Sequence, residues 1–322
     1  MDSSSQAASQ ALLSGDRRAL AKAITLIESQ RAAHIEQGQA LLDMILPHTG
    51  SSVRIGISGI PGVGKSTFIE AFGLYLISLG KRVAVLAVDP SSPLAGGSIL
   101  GDKTRMEQLA RHENAFIRPS PAAGSLGGVA HKTREAMLLA EAAGYDVILV
   151  ETVGVGQSEY EVAGMVDFFT VLMLPNAGDE LQGIKKGIME LADALLINKA
   201  DGESVNLAEI TKRHYENAFH LLRQTSFWTP RVMPISALEN QAIDAVWGMV
   251  LDYLSQARAE GSFSDKRARQ NRNWLDKLIA ELLEQRLMSS AEAKSLWREL
   301  EQQVVDGTAT LYSAARRIIA AL

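Results

Sequence analysis

Short apolar runs alternate with longer amphipathic stretches between residues 51 and 257 of the chain. Six of these runs are almost continuously apolar, which is typical of strands that a parallel sheet buries on both faces. They occupy residues 53–58, 82–89, 146–151, 167–174, 192–198 and 231–235. Because strands that alternate with helices form βαβ units, the pattern predicts an α/β fold with a mostly parallel sheet and helices on both faces.

Both ends of the chain have helical periodicity instead. Leu20, Ile24 and Ile27 recur at the spacing of one helix face, and Asp16 is well placed to cap that helix. Near the other end, the stretch from Ser289 to Glu292 resembles a capping box that opens a helix. An apolar stripe precedes it, formed by Leu275, Leu278, Ile279, Leu282 and Leu283.

We therefore expect three zones: a helical N-terminal extension at residues 1–50, a sheet domain at 51–257, and a helical C-terminal arm at 258–322. Within the sheet domain, segment 119–128 is rich in Gly, Ser and Pro and is predicted to be a loop. The apolar stripes of the tails either cover the core of the same chain or, in the C-terminal arm, bury against a second copy.

Composition narrows the class of protein. The 322 residues contain no cysteine and carry a net charge of -5. Disulfides, iron–sulfur clusters and thiolate zinc sites are therefore excluded, and the charge predicts no bulk attraction to nucleic acid or membranes. The N-terminal sequence MDSSS does not resemble a signal peptide. With no apolar run near the roughly 20 residues that span a bilayer, we expect a cytoplasmic protein.

Residues 59–66, GIPGVGKS, match the phosphate-binding motif G-x-x-x-x-G-K-[ST] between an apolar run and a helical stretch. Glycines let backbone N–H groups converge on phosphate oxygens, and the following helix adds its positive end. The motif predicts phosphate contacts from Gly62, Val63 and Gly64, a contact of Lys65 with the β- and γ-phosphates, and a bond from the Ser66 hydroxyl to Mg²⁺.

The metal ion needs further hard oxygen ligands. Asp89, Asp102 and Glu151 lie at or just beyond predicted strand ends. Glu151 occupies the position of the aspartate in a strand-end D-x-x-G motif that closes at Gly154, and its longer side chain is better suited to act through a water molecule. The alternative for Asp89 and Asp102 is a capping role in turns, where Asp is common.

The stretch Asn198-Lys199-Ala200-Asp201 matches N-K-x-D after another apolar run. The carboxylate of Asp201 can accept hydrogen bonds from the N1–H and 2-amino groups of guanine, a donor pair that adenine lacks. The Lys199 stem would lie along the ring. After the last run, Ser236, Ala237 and Leu238 offer a backbone N–H to the guanine O6. These patterns predict GTP, not ATP.

Seven blocks together carry a family resemblance: GIPGVGKST, AVDPSSP, GGSILGDKTRM, IRPSPAAGSLGG, YDVILVETVGVGQSE, GDELQGIKKGIMELAD and NKAD. The chain resembles the methylmalonyl-CoA mutase-associated GTPases of the MeaB/ArgK type. The resemblance implies a P-loop NTPase fold of the SIMIBI type and slow hydrolysis of GTP to GDP. It also implies a chaperone role for an adenosylcobalamin-dependent acyl-CoA mutase, most simply methylmalonyl-CoA mutase, in which the GTPase gates cofactor loading and protects or rescues the enzyme. The resemblance further implies a homodimer formed through the C-terminal arm.

The resemblance also implies roles for particular residues. By position, Lys65, Ser66 and Thr67 contact phosphate and metal, the acidic residues Asp89, Asp102 and Glu151 belong to the magnesium and switch region, and the N-K-x-D and S-A-L residues bind guanine. Segment 175–190 matches an additional switch that communicates with the mutase, with Asp179 and Lys185 as candidates. Its glycines, Gly187 among them, and its charge suit a mobile loop, although an ordinary surface loop and helix start is the alternative.

Hydrolysis is expected to proceed by in-line attack of water on the γ-phosphate. The catalytic candidates are Lys65, Glu151, Asp102 and Lys185; Gly154 would sense the γ-phosphate, and Gln157 is a weaker candidate. Two other functions remain as alternatives. A metallochaperone GTPase would need a metal store, but the chain has no Cys and its six His are scattered. A transport-protein kinase is disfavoured by the predicted guanine selectivity.

Overall fold

The computed structural model describes residues 3–88, 106–119, 126–152, 158–175, 186–222 and 227–321. It forms two compact units, Met1–Phe263 and Ser264–Leu322. Asp89, Asp102, Gly154, Gln157, Asp179 and Lys185 lie outside the described residues.

A parallel sheet organises the first unit. In the described ranges its strands are β1 (Val53–Gly59), β2 (Val83–Val88), β3 (Ala115–Arg118), β4 (Val147–Thr152), β5 (Phe168–Met173), β6 (Ala194–Ile197) and β7 (Arg231–Pro234). Their order is β3-β2-β4-β1-β5-β6-β7, and every pair of neighbours is parallel. The predicted α/β class is therefore confirmed. Strand β1 lies centrally, with Ile57 opposite Glu151 of β4 and Thr170 of β5.

Helices precede, connect and follow these strands. Those of the first unit are α1 (Ser3–Leu13), α2 (Arg17–Glu28), α3 (Ala32–Ile45), α4 (Lys65–Ser78), α5 (Glu107–Arg111), α6 (Leu126–Ala142), α7 (Ser158–Ala163), α8 (Lys186–Leu191), α9 (Val205–Leu222) and α10 (Ile243–Ala259). Single 3₁₀ turns occupy Leu46–His48 and Gly202–Ser204.

Both faces of the sheet are buried. On one face, Ile55 and Ile57 of β1 join a core that includes Phe68 and Phe72 of α4 and Trp247 of α10. On the other face, a Cβ added at Gly56 would lie 2.7 Å from the Phe169 ring and 3.0 Å from Val162. Side chains alternate between faces along a strand, so burial on both sides accounts for the continuous apolar runs.

The amino-terminal edge of the sheet is capped by carboxylates. Asp146, Asp167 and Asp193 each stand directly before a strand and accept a backbone N–H from a neighbouring chain segment. The donors are Arg82 N to Asp146 Oδ2 (2.8 Å), Arg54 N to Asp167 Oδ2 (2.9 Å) and Phe169 N to Asp193 Oδ2 (3.0 Å). The amides of Arg54 and Phe169 are buried and are thereby satisfied, as buried polar groups must be, whereas the bond from Arg82 N is exposed.

A buried ion pair lies near the same edge. The Arg54 guanidinium donates to both carboxylate oxygens of Glu141, at 2.9 and 3.0 Å, and Gly50 N adds a third bond at 2.8 Å. Burial, and then the charge of Arg54, lowers the pKa of the nearby Arg134 to about 10, whereas Glu141 raises it. Glu141 is therefore the counter-charge of the buried Arg54 and also acts on the half-buried Arg134.

The N-terminal helices confirm one predicted cap. The Asp16 carboxylate accepts from Arg18 N at 2.6 Å and Ala19 N at 3.0 Å, and these bonds hold the pKa of Asp16 below its ordinary value. Leu20, Ile24 and Ile27 of α2 are buried as their spacing predicts, and α2 packs against α6.

Three local predictions need correction. Strand β3 was not predicted, because Ala115–Arg118 is too short to show a pattern. Helix α6 begins at Leu126, inside the segment predicted to be a loop, so the local glycine content did not prevent a helix from forming there. The N-cap near residue 290 is Ser290, which accepts from Ala293 N, whereas a capping box would have placed it at Ser289.

The second unit is helical. Helix α11 (Ser262–Ser289), which begins just before the unit boundary, is followed by α12 (Ala291–Val305) and α13 (Leu311–Ile319). The stripe on α11 stays exposed in the single chain, with relative exposures of 57% at Leu275, 47% at Ile279 and 54% at Leu282. Throughout the described ranges, no helix is both long enough and apolar enough to cross a membrane.

Candidate functional site

The loop between β1 and α4 has the strand–loop–helix geometry that the phosphate motif requires. Gly59 has φ 148° and Gly64 has φ 97°, values that L side chains rarely adopt. A Cβ at Gly59 would lie 2.7 Å from Leu172 O, and one at Gly64 would lie 2.5 Å from Asn198 Nδ2. Both positions therefore need glycine on two grounds, backbone conformation and space.

Lys65 is the first residue of α4 and is buried. Its ammonium group folds back over the loop and donates to Gly59 O at 2.7 Å and Ile60 O at 3.2 Å. Ser66 is half-buried and Thr67 exposed at the same helix N-terminus. This end of the helix carries positive charge and amide donors, so the arrangement suits a bound phosphate.

Glu151 lies near the end of β4, paired with Ile57 of β1 and Ala87 of β2. Because side chains alternate, Glu151 shares the sheet face of Ile57, which α4 covers. The next residue, Thr152, lies on the opposite face and is hydrogen-bonded to Ser58 at 3.0 Å, where both hydroxyls are buried. This bond joins the strand that enters the phosphate loop to the strand that carries Glu151, and the sequence motifs gave no sign of it.

The structure places two of the four predicted metal ligands, Ser66 and Glu151, and leaves Asp89 and Asp102 outside the described residues. Within the described ranges, no three His, Asp or Glu side chains form a group that could hold a metal ion. A hydroxyl at the start of α4 and a carboxylate on the sheet face that α4 covers are hard oxygen donors, the type that Mg²⁺ prefers.

A second group of residues follows β6. The buried Asn198 side chain donates from Nδ2 to Val63 O at 2.8 Å and accepts from Ala237 N at 3.0 Å. Lys199 has φ 60° and donates from Nζ to Gly62 O at 3.0 Å. Asn198 therefore ties the phosphate loop to the segment after β7, and a non-glycine residue in the left-handed region is typical of a constrained functional site.

Asp201 is held by Ser236, a residue of the segment that the sequence predicts to contact guanine. The Ser236 hydroxyl donates to Asp201 Oδ2 and accepts from Glu239 N at 3.2 Å. Ser236 is fully buried, Ala237 is buried, and Leu238 is 74% exposed. Because Ser236 fixes one oxygen of the carboxylate, Asp201 presents a fixed acceptor edge, which favours a base with paired donors.

The motif residues of the phosphate loop and of the base-binding corner thus meet at the carboxyl edge of the parallel sheet, where α/β proteins bind ligands. The phosphate loop and the braced Asp201 together define a P-loop protein of the guanine-nucleotide-binding class. The family model described as "Methylmalonyl Co-A mutase-associated GTPase MeaB" matches residues 20–292. The chain belongs to this family, and the resemblance inferred from its motifs is confirmed.

Curated relatives agree with this assignment. The chain is 53% identical over 311 residues to a "Putative GTPase" of Caulobacter vibrioides, covering 96% of this chain and 95% of the relative. It is 48% identical over 308 residues to "GTPase ArgK" of Escherichia coli, covering 95% and 93%. It is 44% identical over 321 residues to "Methylmalonic aciduria type A homolog, mitochondrial" of Mus musculus, covering 96% and 77%.

A solved structure resembles the whole chain. The "Crystal structure of LAO/AO transport system kinase" has a TM-score of 0.80 and 41% sequence identity, and the match covers 99% of this chain and 97% of that one. The fold is therefore shared along its length. The family and its relatives make this chain a MeaB-family GTPase that binds a guanine nucleotide; the roles of individual residues stay predictions.

Proposed function

We propose that this protein hydrolyses GTP as the chaperone of an adenosylcobalamin-dependent acyl-CoA mutase, most simply methylmalonyl-CoA mutase. In this role it gates cofactor loading and protects or reactivates the mutase. GTP binding and hydrolysis are supported mainly by the hydrogen bond from Ser236 to Asp201. Next to it, Asn198 is hydrogen-bonded to both Val63 O and Ala237 N. The proposal that the partner is an acyl-CoA mutase is supported by family membership and by the mutase named in the family description.

In the proposed reaction, a water oxygen bonds to the γ-phosphorus while the bond to the β–γ bridging oxygen breaks, which gives GDP and phosphate. Lys65 and the amides at the start of α4 hold the phosphate charge, and Glu151 orients the water by accepting one of its hydrogen bonds. Mg²⁺ held by Ser66 would add charge neutralisation. Roles for Asp89, Asp102, Gly154 and Lys185 are part of the proposal and rest on sequence position alone.

Guanine selectivity follows from the braced carboxylate. Asp201 would accept from N1–H and the 2-amino group, Lys199 would cover the ring, and Ala237 or Leu238 would donate a backbone N–H to O6. Adenine would leave the Asp201 carboxylate without donors, and a polar site with unpaired groups rejects a ligand strongly.

The decisive experiment measures phosphate release from GTP by the purified protein, alone and with a cobalamin-dependent acyl-CoA mutase, with ATP as the control nucleotide. We expect GTP turnover to rise on addition of the mutase and ATP to remain uncleaved. Equal use of ATP would refute the assignment of Asp201. Label transferred from [γ-³²P]GTP to a protein instead of water would favour the kinase alternative.

We also propose that α11 pairs with a second copy through Leu275, Ile279 and Leu282, because this apolar stripe is about half exposed in the single chain. Light scattering of full-length Ile279→Glu/Leu282→Glu protein should then show a monomer. Asn273→Glu/Gln285→Glu, which adds the same charge at exposed polar positions of the same helix, should remain dimeric. A dimeric stripe variant would refute this interface.

A further inference from the structure

Gly187, in the first turn of α8, lies against Tyr160 of α7. A Cβ built on Gly187 would lie 2.0 Å from the Tyr160 hydroxyl oxygen and 3.2 Å from Cζ of the same ring. The backbone of Gly187 is helical, a conformation open to any residue, so a side chain at this position would be opposed only by the outer end of the Tyr160 side chain. The sequence predicts that Gly187 contributes to the mobility of a loop. In the structure, Gly187 instead lies in a helix and contacts the Tyr160 side chain of a neighbouring helix.

Each of the two helices adjoins or overlaps a segment with a predicted switch role. Helix α7 begins directly after the segment in which the nucleotide-sensing Gly154 is predicted, and α8 overlaps the end of segment 175–190, which is predicted to respond to the mutase. Helix α7 also packs against β1 and β4, the strands that carry the phosphate loop and Glu151, and against α8. The Tyr160–Gly187 contact therefore joins the helix that follows the first segment to the helix that ends the second.

The start of α7 contains buried polar atoms with unmet hydrogen-bonding capacity. Ser158 is fully buried and Glu159 is 3% exposed, yet neither Ser158 Oγ nor Glu159 Oε2 has a hydrogen-bond partner in the described structure. Burial of an unpaired carboxylate oxygen is unfavourable. The first turn of α7 therefore contains two buried polar atoms that a rearrangement of this helix could pair.

We propose that Tyr160 and Gly187 transmit the nucleotide state from α7 to α8 and thereby set how strongly GTP turnover responds to the partner. The partner's identity in this proposal rests on the proposed function, whereas the α7–α8 link does not. Tyr160 and Gly187 are positioning residues, since neither belongs to the phosphate loop or the base-binding corner. Two elements coupled by one close contact can shift together when a ligand favours one arrangement.

The test is amide hydrogen exchange of the full-length protein with GDP and with a non-hydrolysable GTP analogue. In the natural protein we expect exchange in Lys186–Leu191 to differ between the two nucleotides. Gly187→Ala should reduce that difference by about three-fold or more, because the new methyl displaces the tyrosine ring. The variant should fold, since Tyr160 is 44% exposed and can rotate outward, and alanine favours a helix.

Two further variants isolate the contact. Tyr160→Phe removes the oxygen that would lie 2.0 Å from the new Cβ and leaves the ring carbon at 3.2 Å, so Tyr160→Phe/Gly187→Ala should regain part of the nucleotide response. Gly248→Ala is the matched control, because Gly248 is in α10 and a Cβ there would meet nothing within 4 Å. It should leave the exchange of α8 unchanged.

The proposal is overturned if α8 exchange is the same with both nucleotides, if Gly187→Ala keeps the full difference, or if Gly248→Ala loses it equally. The same proteins are then assayed for GTP turnover with the mutase. Stimulation that is equal in natural and Gly187→Ala protein would reject this inference and leave the proposed function intact. A nucleotide response in α8 that Gly187→Ala abolishes, without stimulation by any mutase, would support the α7–α8 link and reject the partner.

Discussion

The two edges of the parallel sheet use carboxylates for opposite purposes. At the amino edge, Asp146, Asp167 and Asp193 accept backbone N–H groups at 2.8 to 3.0 Å. At the carboxyl edge, Asp201 takes its described bond from a side chain, Ser236, that orients it. The comparison suggests a rule to test: an acidic residue directly before a strand has a structural role, and one after a strand has the predicted ligand-binding role.

The difference has a simple physical origin. Strand beginnings present N–H groups that need acceptors, and an aspartate one residue before the next strand supplies one locally. Strand ends lead into loops and helix N-termini, where the donors are arranged for an external anion. Substitutions near the two edges, and at the cap of α2, test these roles from the largest expected effect to the smallest.

Glu141→Ala should have the largest effect on stability and none on nucleotide selectivity. It removes the counter-charge of the buried Arg54, and breaking a buried ion pair typically costs about 3–5 kcal/mol. Urea denaturation measures the loss. The control is Glu107→Ala, which breaks the exposed pair with Arg111 at 3.6 Å and should cost less than about 1 kcal/mol. Similar losses in both variants would contradict the structural role of the amino edge.

Lys65→Ala should act on the reaction instead of the fold. Loss of one donor that stabilises transition-state charge lowers turnover by about 10²–10³-fold, while the melting temperature without nucleotide should change little. Single-turnover hydrolysis of GTP gives the rate. A rate within about ten-fold of the natural protein would remove Lys65 from the proposed catalytic group.

Asp201→Asn should change which base is bound. The variant side chain offers N–H donors to the 2-carbonyl of xanthine, so GTP affinity should fall by about 100-fold and xanthosine triphosphate should bind instead. Ser236→Ala, which removes only the orienting hydroxyl, should weaken GTP by roughly five- to ten-fold. Titration calorimetry measures both. Unchanged GTP binding by Asp201→Asn would refute the predicted guanine-binding role of the carboxylate at the carboxyl edge.

Asp167→Ala tests the amino edge with the same residue type. Arg54 N would lose its acceptor in a buried place, so the free energy of unfolding should fall by about 1–3 kcal/mol. Nucleotide affinity of the folded protein should stay within about two-fold of the natural value, because the binding edge is untouched. A selective loss of GTP binding without a loss of stability would show that this carboxylate is not structural.

Asp16→Ala should have the smallest effect and a characteristic pH dependence. Bonds from Ala19 N and Arg18 N lower the pKa of Asp16 in the folded protein. Its contribution is therefore fully present above the unfolded pKa and is lost as the pH falls through the lowered folded pKa. Thermal melts between about pH 2 and pH 6 should show the difference between variant and natural protein shrinking toward low pH. A constant difference would exclude the charged cap.

Much of the fold was predictable because its elements are long or strongly patterned. The buried strands, the Asp16 cap and the phosphate loop follow from local sequence. Strand β3 spans four residues, too few for a periodic signal. The helix start at Leu126 and the cap at Ser290 were each misplaced because local composition does not specify where a helix begins.

The candidate site likewise has features that the sequence predicts and features that it does not. Motif spacing identifies Lys65, Asn198 and Asp201 as candidates because the chemistry of phosphate and guanine requires those residue types. It does not reveal the bonds from Asn198 to Val63 O or from Ser236 to Asp201, since these join segments far apart in the chain. The roles of Asp89, Asp102, Gly154 and Lys185 stay predictions from position.

The central place of β1 has a consequence for synthesis of the chain. Strand β1 ends at Gly59, but its neighbours β4 and β5 begin at Val147 and Phe168. At about 5–20 residues per second, the ribosome needs several seconds or more to deliver them, and Asn198, which braces the phosphate loop, emerges later still. During that interval the nascent first strand has neither sheet partner, so tight nucleotide binding becomes possible only late in translation.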